Sequence, residues 1–520
     1  MAQAFSDNGE KGDSSEQEKL ARVRLERGES ALLYRHLIAD THTAVSLAMR
    51  LFVPDRGDFL LESVEGGETR GRYSLIGLDP DLVYRADNGT GFINAAWQHD
   101  RGAFVRDDNN NDALDSLRSL AQRCQMAVPD ALPPVLAFLV GYFGYETVSL
   151  VEKITRASEA SLGLPDMVFV RPSLLLILDR LKDEMILVAP LWADRDGAAD
   201  HKISAALERL DEAERGVSTP QPGDAVDKTD SAELVDIIPQ PVVPPERYCE
   251  MVLAAKDYIH AGDIFQVVLA QRFTAPFPLP PMQLYRSLRR INPSPFLFYL
   301  DLPDFALIGS SPEILVRVRD GEVTIRPIAG TRPRGATAAE DRAQAESLLT
   351  DPKECAEHLM LLDLGRNDVG RVARADSVSV TDSFTIERYS HVMHIVSNVV
   401  GELREDMDPV SALLAGFPAG TVSGAPKVRA CQIIAELEPE QRGAYAGAVG
   451  YFAPDGSVDS CIVLRTAVVK DGMMHVQAGA GVVADSDPDY ELRECQAKAG
   501  ALFAAANDAI ARARAGGFGQ

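Results

Sequence analysis

Two stretches of this chain carry glutamates at helical spacing. In KECAEHLMLLDLGRNDVG (353–370) Glu354 and Glu357 lie three residues apart, and in DYELRECQAKAG (489–500) Glu491 and Glu494 repeat the spacing. Residues three apart stack on one helix face. Apolar Cys355, Ala356, Leu359, Met360, Leu361, Leu362 and Leu364 flank the first pair on nearly every side, so that helix reads as buried. A carboxylate in such a place must be paired, protonated or bound to a cation. Brought together, the two helices would form a four-carboxylate pocket. That all-oxygen donor set suits Mg2+, which keeps waters and leaves positions for an anionic substrate. A lone E-x-x-E is more often a solvated face with Lys or Arg partners, so other residues must decide.

Three further motifs narrow the chemistry. GAGVVA (479–484) matches the G-x-G-x-x-A pattern of dinucleotide sites, but DSDPDY follows it where a helix should open. It reads instead as a Gly-rich turn whose N–H groups could hold an anion, or as a tight strand exit. GTVSGAPK (420–427) lacks the Gly-Lys-Ser/Thr of a phosphate loop, and Pro426 reads as an early-helix residue with Ser423 or Gly424 near the cap. His391 and His394 are three apart in RYSHVMHIVSN, with no third His or Cys nearby to make a zinc site. A buried, hydrogen-bonded histidine is one reading of that stretch and a proton-transfer histidine the other.

The elements that must carry these residues follow from the pattern of the chain. At 520 residues it exceeds a typical single core. Hydrophobic residues make up 46% and charged residues 25%, an ordinary globular composition. The formal charge of −25 argues against nucleic acid as a partner. The polar opening has no apolar core for a signal peptide, and the longest apolar run, VLAFLVGYFGY (135–145), is too short to span a membrane. Cys124, Cys249, Cys355, Cys431, Cys461 and Cys495 are scattered without a C-x-x-C pair, as reduced thiols of a cytoplasmic protein would be.

Residues 1–18 read as a disordered tail, 19–215 as an N-terminal α/β region, 216–246 as a Pro- and Asp-rich linker, and 247–512 as a second domain. Strands are predicted at DFLLESVE, RYSLIGL, SLLLILD and EMILVAPL in the first region, then at DIFQVVLAQRF, FLFYLDL, FALIGSS, ILVRVRD and EVTIRPIAG in the second. Helices are predicted at DALDSLRSLAQRC, HKISAALERLDEAER and ERYCEMVLAAKDYIHAG. Strands clustered beside helices imply an α+β fold with large antiparallel sheets.

PIAGTRPRG, KECAEHLMLLDLGRNDVGRV, RYSHVMHIVS, FPAGTVSGAPK, GAVGYF, CIVLRTA and QAGAGVVADSDPDYELRE occur in this order, and the chain strongly resembles the chorismate-utilising enzymes over roughly 30–510. Within that family it is most similar to the large subunits (component I) of anthranilate synthases. The resemblance implies antiparallel sheets packed as a sandwich with helices outside. It also implies conversion of chorismate and ammonia to anthranilate and pyruvate through aminodeoxyisochorismate, the first committed step of tryptophan biosynthesis. Glu357 and Glu494 would be the nearest Mg2+ ligands, with Glu354 and Glu491 acting directly or through water. Glu313 would be the general acid for the C4 hydroxyl, His394 would promote proton removal at C2, and Thr421 and Lys498 would line the pocket. Arg465 and Tyr445 would hold the enolpyruvyl carboxylate, with Gly330, Thr331 and the backbone of Ala478, Gly479, Ala480 and Gly481 completing the substrate site.

Two positions separate the relatives. Family members that add water at C2 carry a Lys base where this chain has Gln266, which cannot deprotonate water. Aminodeoxychorismate synthases of the folate pathway often carry a nucleophilic Lys where PIAGT has Ala329. Amination at C2 is therefore favoured over that alternative, and a non-catalytic homologue would be expected to have lost Glu357, His394, Arg465 or Glu494. The resemblance further implies an L-tryptophan inhibitor site built from Glu62 and Ser63 of LLES, Pro295, Phe296 and Leu297 of NPSPFL, and Val449 and Tyr451 of GAVGY. No Cys sits in a G-x-C-x-G turn, so use of glutamine implies a separate amidotransferase subunit (component II) and a hetero-oligomer.

Overall fold

Two long strands organise the molecule. Thr69–Asp87 and Met167–Asp179 pair antiparallel along most of their length, with a register shift between Pro80 and Leu82. Before the shift, the pairing continues through Phe59–Glu65, Phe296–Leu302, Phe305–Ser311, Thr466–Lys470 and Met473–Val482 to Gln266–Pro276. Beyond it, the start of Met167–Asp179 passes to Leu139–Phe143, then to Ala448–Phe452, Val458–Ile462, Ile314–Arg319, Glu322–Ile325 and Val392–Glu402. Two antiparallel sheets thus share their longest strands and pack as a sandwich. The structure is a computed structural model that describes residues 14–65, 69–108, 110, 112–157, 162–219, 234–389 and 392–515.

Alternation along the strands divides the interior into two cores. Phe59, Phe298 and Leu300 point between the sheets, where they join Val140, Tyr142, Leu315 and Ile462. Their neighbours Leu60, Leu297 and Tyr299 point outward, against Leu284 and Leu288 of the Pro281–Ile291 helix and Leu502 and Phe503 of the Pro488–Arg514 helix. Among the described residues no helix is long and apolar enough to cross a membrane, and all six cysteines are free thiols.

The predicted helices and strands are present, except that EVTIRPIAG is broken at Arg326 and Pro327 into Glu322–Ile325 and Ile328–Pro333, and three further boundaries differ. The tail expected to be disordered through residue 18 is helical from Ser14, because the helix formers of SSEQEKLARVRLE bury Ala21 and pack Leu25 on the outer core. Of the linker, 220–233 lies outside the described residues. Its ends are built into the fold: the Ala199–Ser218 helix runs into it, Leu234 and Ile237 are buried, and Pro245 opens a helix. Pro426 is the cap of the Lys427–Leu437 helix rather than a residue inside it, since Gly424 and Ala425 pair with the Gln266 strand. The two regions also interleave. Phe59–Glu65 pairs with Phe296–Leu302, and Leu139–Phe143 pairs with Ala448–Phe452.

Buried charges fasten the regions together. The Glu62 carboxylate accepts from Tyr285 at 2.8 Å and from Arg289 at 2.5 Å, and also pairs with Arg180. Glu146 accepts the backbone N–H groups of Arg442 and Gly443 at 2.8 and 3.0 Å. The Arg442 guanidinium in turn donates to Glu438 at 2.6 Å and to the carbonyls of Val422 and Val268 at 2.8 and 2.7 Å. Removing one member of such a pair strands its partner's charge. Arg442→Met is expected to destabilise the fold by about 3–5 kcal/mol and to lower the calorimetric unfolding midpoint. Adding Glu438→Gln should recover much of that loss, and an unchanged midpoint in the single variant would refute the assignment.

Candidate active site

The Gln266 strand and the Met473–Val482 strand meet as neighbours, with Val268 opposite Gly481 and Ala270 opposite Gly479. Both glycines make room for polar side chains. A Cβ on Gly481 would stand 2.7 Å from Gln266 Nε2, and one on Gly479 would stand 2.7 Å from the Tyr445 hydroxyl. Lys498 Nζ donates to the Gly479 carbonyl at 2.9 Å. Residues 479–482 therefore form strand, not the Gly-rich turn that the local composition suggests; pairing with Gln266–Pro276 overrides it.

The glutamate pairs stand at the starts of two capped helices. Asp351 caps Pro352–Val372 through the N–H groups of Lys353 and Glu354, and Asp487 caps Pro488–Arg514 through that of Tyr490. The first of these helices is not buried all round. Leu361, Leu362, Val369 and Val372 face the interior, while Leu359 on the other side is 57% exposed. Glu357 accepts from Gln266 Nε2 at 3.2 Å, which places the pair beside the strand floor. Glu354 is paired with Arg332 at 3.0 Å, and Glu494 with Lys498 at 2.7 Å. Among the described residues no three His, Cys, Asp or Glu side chains stand together as a metal cluster.

Whether these residues suit a cation rests on their chemistry. Glu491 is buried, and burial raises its pKa; the neighbouring Glu494 charge raises it further, opposed by a Ser486 hydrogen bond and by the charges of Lys353 and Lys498. The influence of Lys353 at Glu491 shows that the two helix starts approach each other. Glu491 and Glu494, one helical turn apart and offset by the charges of Lys353 and Lys498, present the oxygen donors that a hard divalent ion takes.

A second group of side chains flanks the first. Glu313 is buried between Phe305–Ser311 and Ile314–Arg319, and burial pushes its pKa up to about 8 despite a hydrogen bond from Thr421 Oγ1 at 3.1 Å. A carboxyl group so placed holds its proton at neutral pH. His394 Nδ1 lies 2.9 Å from the Gly330 carbonyl and 3.2 Å from Thr331 Oγ1. A carbonyl only accepts, so Nδ1 carries the proton and Nε2 keeps the lone pair of a base. Burial lowers the His394 pKa, and the Arg465 charge lowers it further against the opposing effects of the Gly330 hydrogen bond and Glu387. Gly330 sits at φ +67°, where a side chain would be strained and a Cβ would crowd Glu354 at 3.0 Å.

Arg465 completes this group. Burial lowers its pKa, and among the described residues its guanidinium has neither a hydrogen bond nor an ion pair. A cation partly withdrawn from water without a counter-charge is a place for an anion. The two groups are joined through Gly420–Ser423, the one-turn helix that carries Thr421. Gly420 packs against Leu364 of the glutamate helix so closely that a Cβ there would lie 1.9 Å from it, and Ala425 pairs with Gln266.

Glu62, Ser63, Pro295, Phe296, Leu297, Val449 and Tyr451 all line one cavity of about 780 Å3. Ser63 lies opposite Phe296 in the strand register, so both regions of the chain form its wall. The Glu62 carboxylate is buried, and the hydrogen bonds and charges of Arg289 and Arg180 overcome the effect of burial and hold its pKa low. It braces the wall rather than offering a free group.

Sequence reasoning missed several residues of the site. Lys427, set aside with the failed phosphate loop, makes a buried pair with Asp368 at 2.7 Å and so ties the Thr421 segment to the glutamate helix. Arg332 and Tyr389 also escaped it: Arg332 neutralises Glu354, and the Tyr389 ring packs against His394 with centroids 5.5 Å apart. The only local signals were the charges in TRPRG and GRND and an aromatic next to the histidine motif. His391 lies outside the described residues.

A model of the chorismate binding enzyme family matches residues 57–504. The chain is 51% identical over 492 residues to anthranilate synthase component 1 of Cereibacter sphaeroides, an alignment that covers 95% of this chain and 97% of that one. It is 44% identical over 471 residues to anthranilate synthase component 1 of Thermus thermophilus, covering 90% and 96%. Among solved structures, anthranilate synthase component I from Streptococcus pneumoniae aligns with a TM-score of 0.73 at 36% identity, over 83% of this chain and 92% of that one. The menaquinone-specific isochorismate synthase from Escherichia coli shares the fold, with a TM-score of 0.68 at 20% identity over 94% and 99% of the two chains. With a family match across most of its length and close relatives along nearly all of it, the chain belongs to the chorismate-binding enzymes.

Proposed function

We propose that the chain converts chorismate and ammonia to anthranilate and pyruvate, as the printed names of its relatives suggest. The observation that carries the reading is Arg465, a guanidinium without a counter-charge in the same group of side chains as a protonated Glu313 and a His394 with a free lone pair. Arg465 and Tyr445 bind the enolpyruvyl carboxylate. Ammonia attacks C2 as the ring double bonds shift and the C4–O bond breaks. Glu313 gives its proton to the departing oxygen, which leaves as water. His394 Nε2 then takes the C2 proton, the C–H electrons form the C2–C3 double bond of the aromatic ring, and the ring C3–O bond breaks to expel enolpyruvate, which takes a proton at its methylene carbon to become pyruvate. Glu357 and Glu494, with Glu354 and Glu491, would hold a Mg2+ that supplies positive charge toward the ring carboxylate. Gln266 cannot deprotonate water, which leaves ammonia as the nucleophile.

Two finer readings accompany this one. A glutamine amidotransferase partner supplies ammonia, because the chain has no cysteine in a nucleophile turn. L-tryptophan occupies the 780 Å3 cavity and inhibits from there, because residues of both regions line it and a ligand touching both biases how they sit. The direct test is to incubate the chain with chorismate, Mg2+ and ammonium and follow anthranilate fluorescence and pyruvate. Equal yields of both are expected, suppressed by L-tryptophan and not sustained when glutamine replaces ammonium. Aminodeoxychorismate as the product would transfer the chain to the folate-pathway reading.

The two proton-transfer groups can be separated. His394→Ala is expected to slow pyruvate release at least tenfold more than amination, so that aminodeoxyisochorismate accumulates; an equal loss in both steps would remove His394 from the second step. Glu313 acts in its protonated form, so kcat/KM at fixed free-ammonia concentration should fall as pH rises through about 8. The Thr421 hydroxyl stabilises the carboxylate form and lowers that pKa. Thr421→Val should therefore shift the alkaline limb to higher pH, and a limb that stays put or moves down contradicts the role of Glu313.

A further inference from the structure

The large cavity does not end at the residues that the sequence pointed to. Arg326, Glu387 and Tyr389 also line it. Arg326 pairs with Glu387, and the Tyr389 hydroxyl donates to Glu387 Oε2 at 2.9 Å. The same Tyr389 ring meets the His394 imidazole edge to face, with centroids 5.5 Å apart and planes at 63°. One side chain is therefore both a wall of the cavity and a packing partner of the proposed base.

The strand register reinforces the link. Glu387 lies directly opposite His394 across the pairing of Ser379–Arg388 with Val392–Glu402, so the two side chains share a face of the sheet. Apart from Tyr389, the imidazole is anchored among the described residues through Nδ1, by Gly330 and Thr331. A ring held at one nitrogen can still pivot about that bond, and the neighbouring aromatic ring limits the pivot. The Tyr389 backbone is fixed by Val392 and Arg334, while its hydroxyl is held by Glu387 and the Glu387 carboxylate in turn by Arg326.

We propose that Arg326, Glu387 and Tyr389 form a relay of positioning residues through which a ligand in the cavity sets the orientation of His394. This rests on the reading of the cavity as an effector site for L-tryptophan and of His394 as the base. An α-amino acid carries both charges that the relay contains: its carboxylate competes for Arg326 and its ammonium for Glu387. Either contact opens the Arg326–Glu387 pair, withdraws the acceptor from Tyr389 and releases the ring that confines the imidazole. The effect of one site on the other is then a coupling free energy and must be reciprocal.

The test reads that coupling by binding rather than by turnover. L-tryptophan is titrated calorimetrically into the full chain with Mg2+ in ammonium-free buffer, with and without saturating chorismate, which then lacks its nitrogen nucleophile. In the unaltered chain chorismate should weaken tryptophan binding by a factor of roughly 5–150. In Tyr389→Phe the ring remains but the link to Glu387 is lost, and the coupling factor, read as the ratio of the variant's own tryptophan affinities with and without chorismate, should fall below about 2. Glu387→Gln, which keeps the shape and removes the charge, should reduce the coupling in the same direction and covers the case in which the Tyr389 variant fails to fold. Coupling that persists unchanged in these variants overturns the relay and leaves the effector site standing. Failure of L-tryptophan to bind the unaltered chain overturns the effector reading and the relay with it.

Discussion

Arg442 is the buried charge on which the rest of the structure depends. Its guanidinium is almost wholly enclosed, so every donor must find an acceptor, and the acceptors come from distant parts of the chain. Glu438 supplies the counter-charge, and its carboxylate also accepts the Ala270 N–H in the strand that begins at Gln266. The Val268 carbonyl belongs to that same strand, and the Val422 carbonyl follows directly on Thr421. The guanidinium lies over the rings of Tyr145 and Tyr445, 4.7 and 5.5 Å from their centroids. One ion pair thus sets the strand floor, the Thr421 turn and the Tyr445 hydroxyl relative to one another. Glu146 draws the first region onto the same point through the backbone of Arg442, and burial raises the pKa of that carboxyl to about 7.

Around this frame the site is divided by charge. On one side two pairs of carboxylates stand at two helix starts, offset by Lys498, Arg332 and Lys353. On the other, burial leaves a protonated acid, a neutral histidine and a cation without a partner among the described residues. These demands oppose each other, and the protein meets them by placing the groups on different elements. The glutamates ride on helices with exposed faces, whereas Glu313, His394 and Arg465 sit on or beside strands. Thr421 is the hydroxyl that touches the acid, and the helix bearing it also packs on the glutamate helix.

Much of the fold was legible because sheets write themselves into a sequence with period two. The alternation in FLLES and FLFYLDL sends Phe59 and Phe298 into one core and Leu60 and Leu297 into the other. The regions whose boundaries failed are those where composition and contact disagree. SSEQEKL is polar enough to read as a tail, yet one small buried side chain, Ala21, lets it pack as a helix. GAGVVA has the glycines of a turn, but they are there because Tyr445 and Gln266 occupy the space that side chains would need.

The sequence by itself determined the family and supplied most of the candidate residues: the paired glutamates three apart, Glu313, the residues of PIAGT and RYSHVMH, and the order of motifs that marks a chorismate-binding enzyme. Those are local facts, carried by spacing and residue type. Only the tertiary structure decided the partners. Thr421 reaches Glu313 across 108 positions, Gln266 reaches Glu357 across 91, and Arg442 reaches Val268 across 174. That Glu354 is paired, that Arg465 is not, and that Glu313 keeps its proton are consequences of burial and of neighbours brought from far along the chain. Periodicity reports which face of an element is buried. It does not report which distant charge will be waiting there.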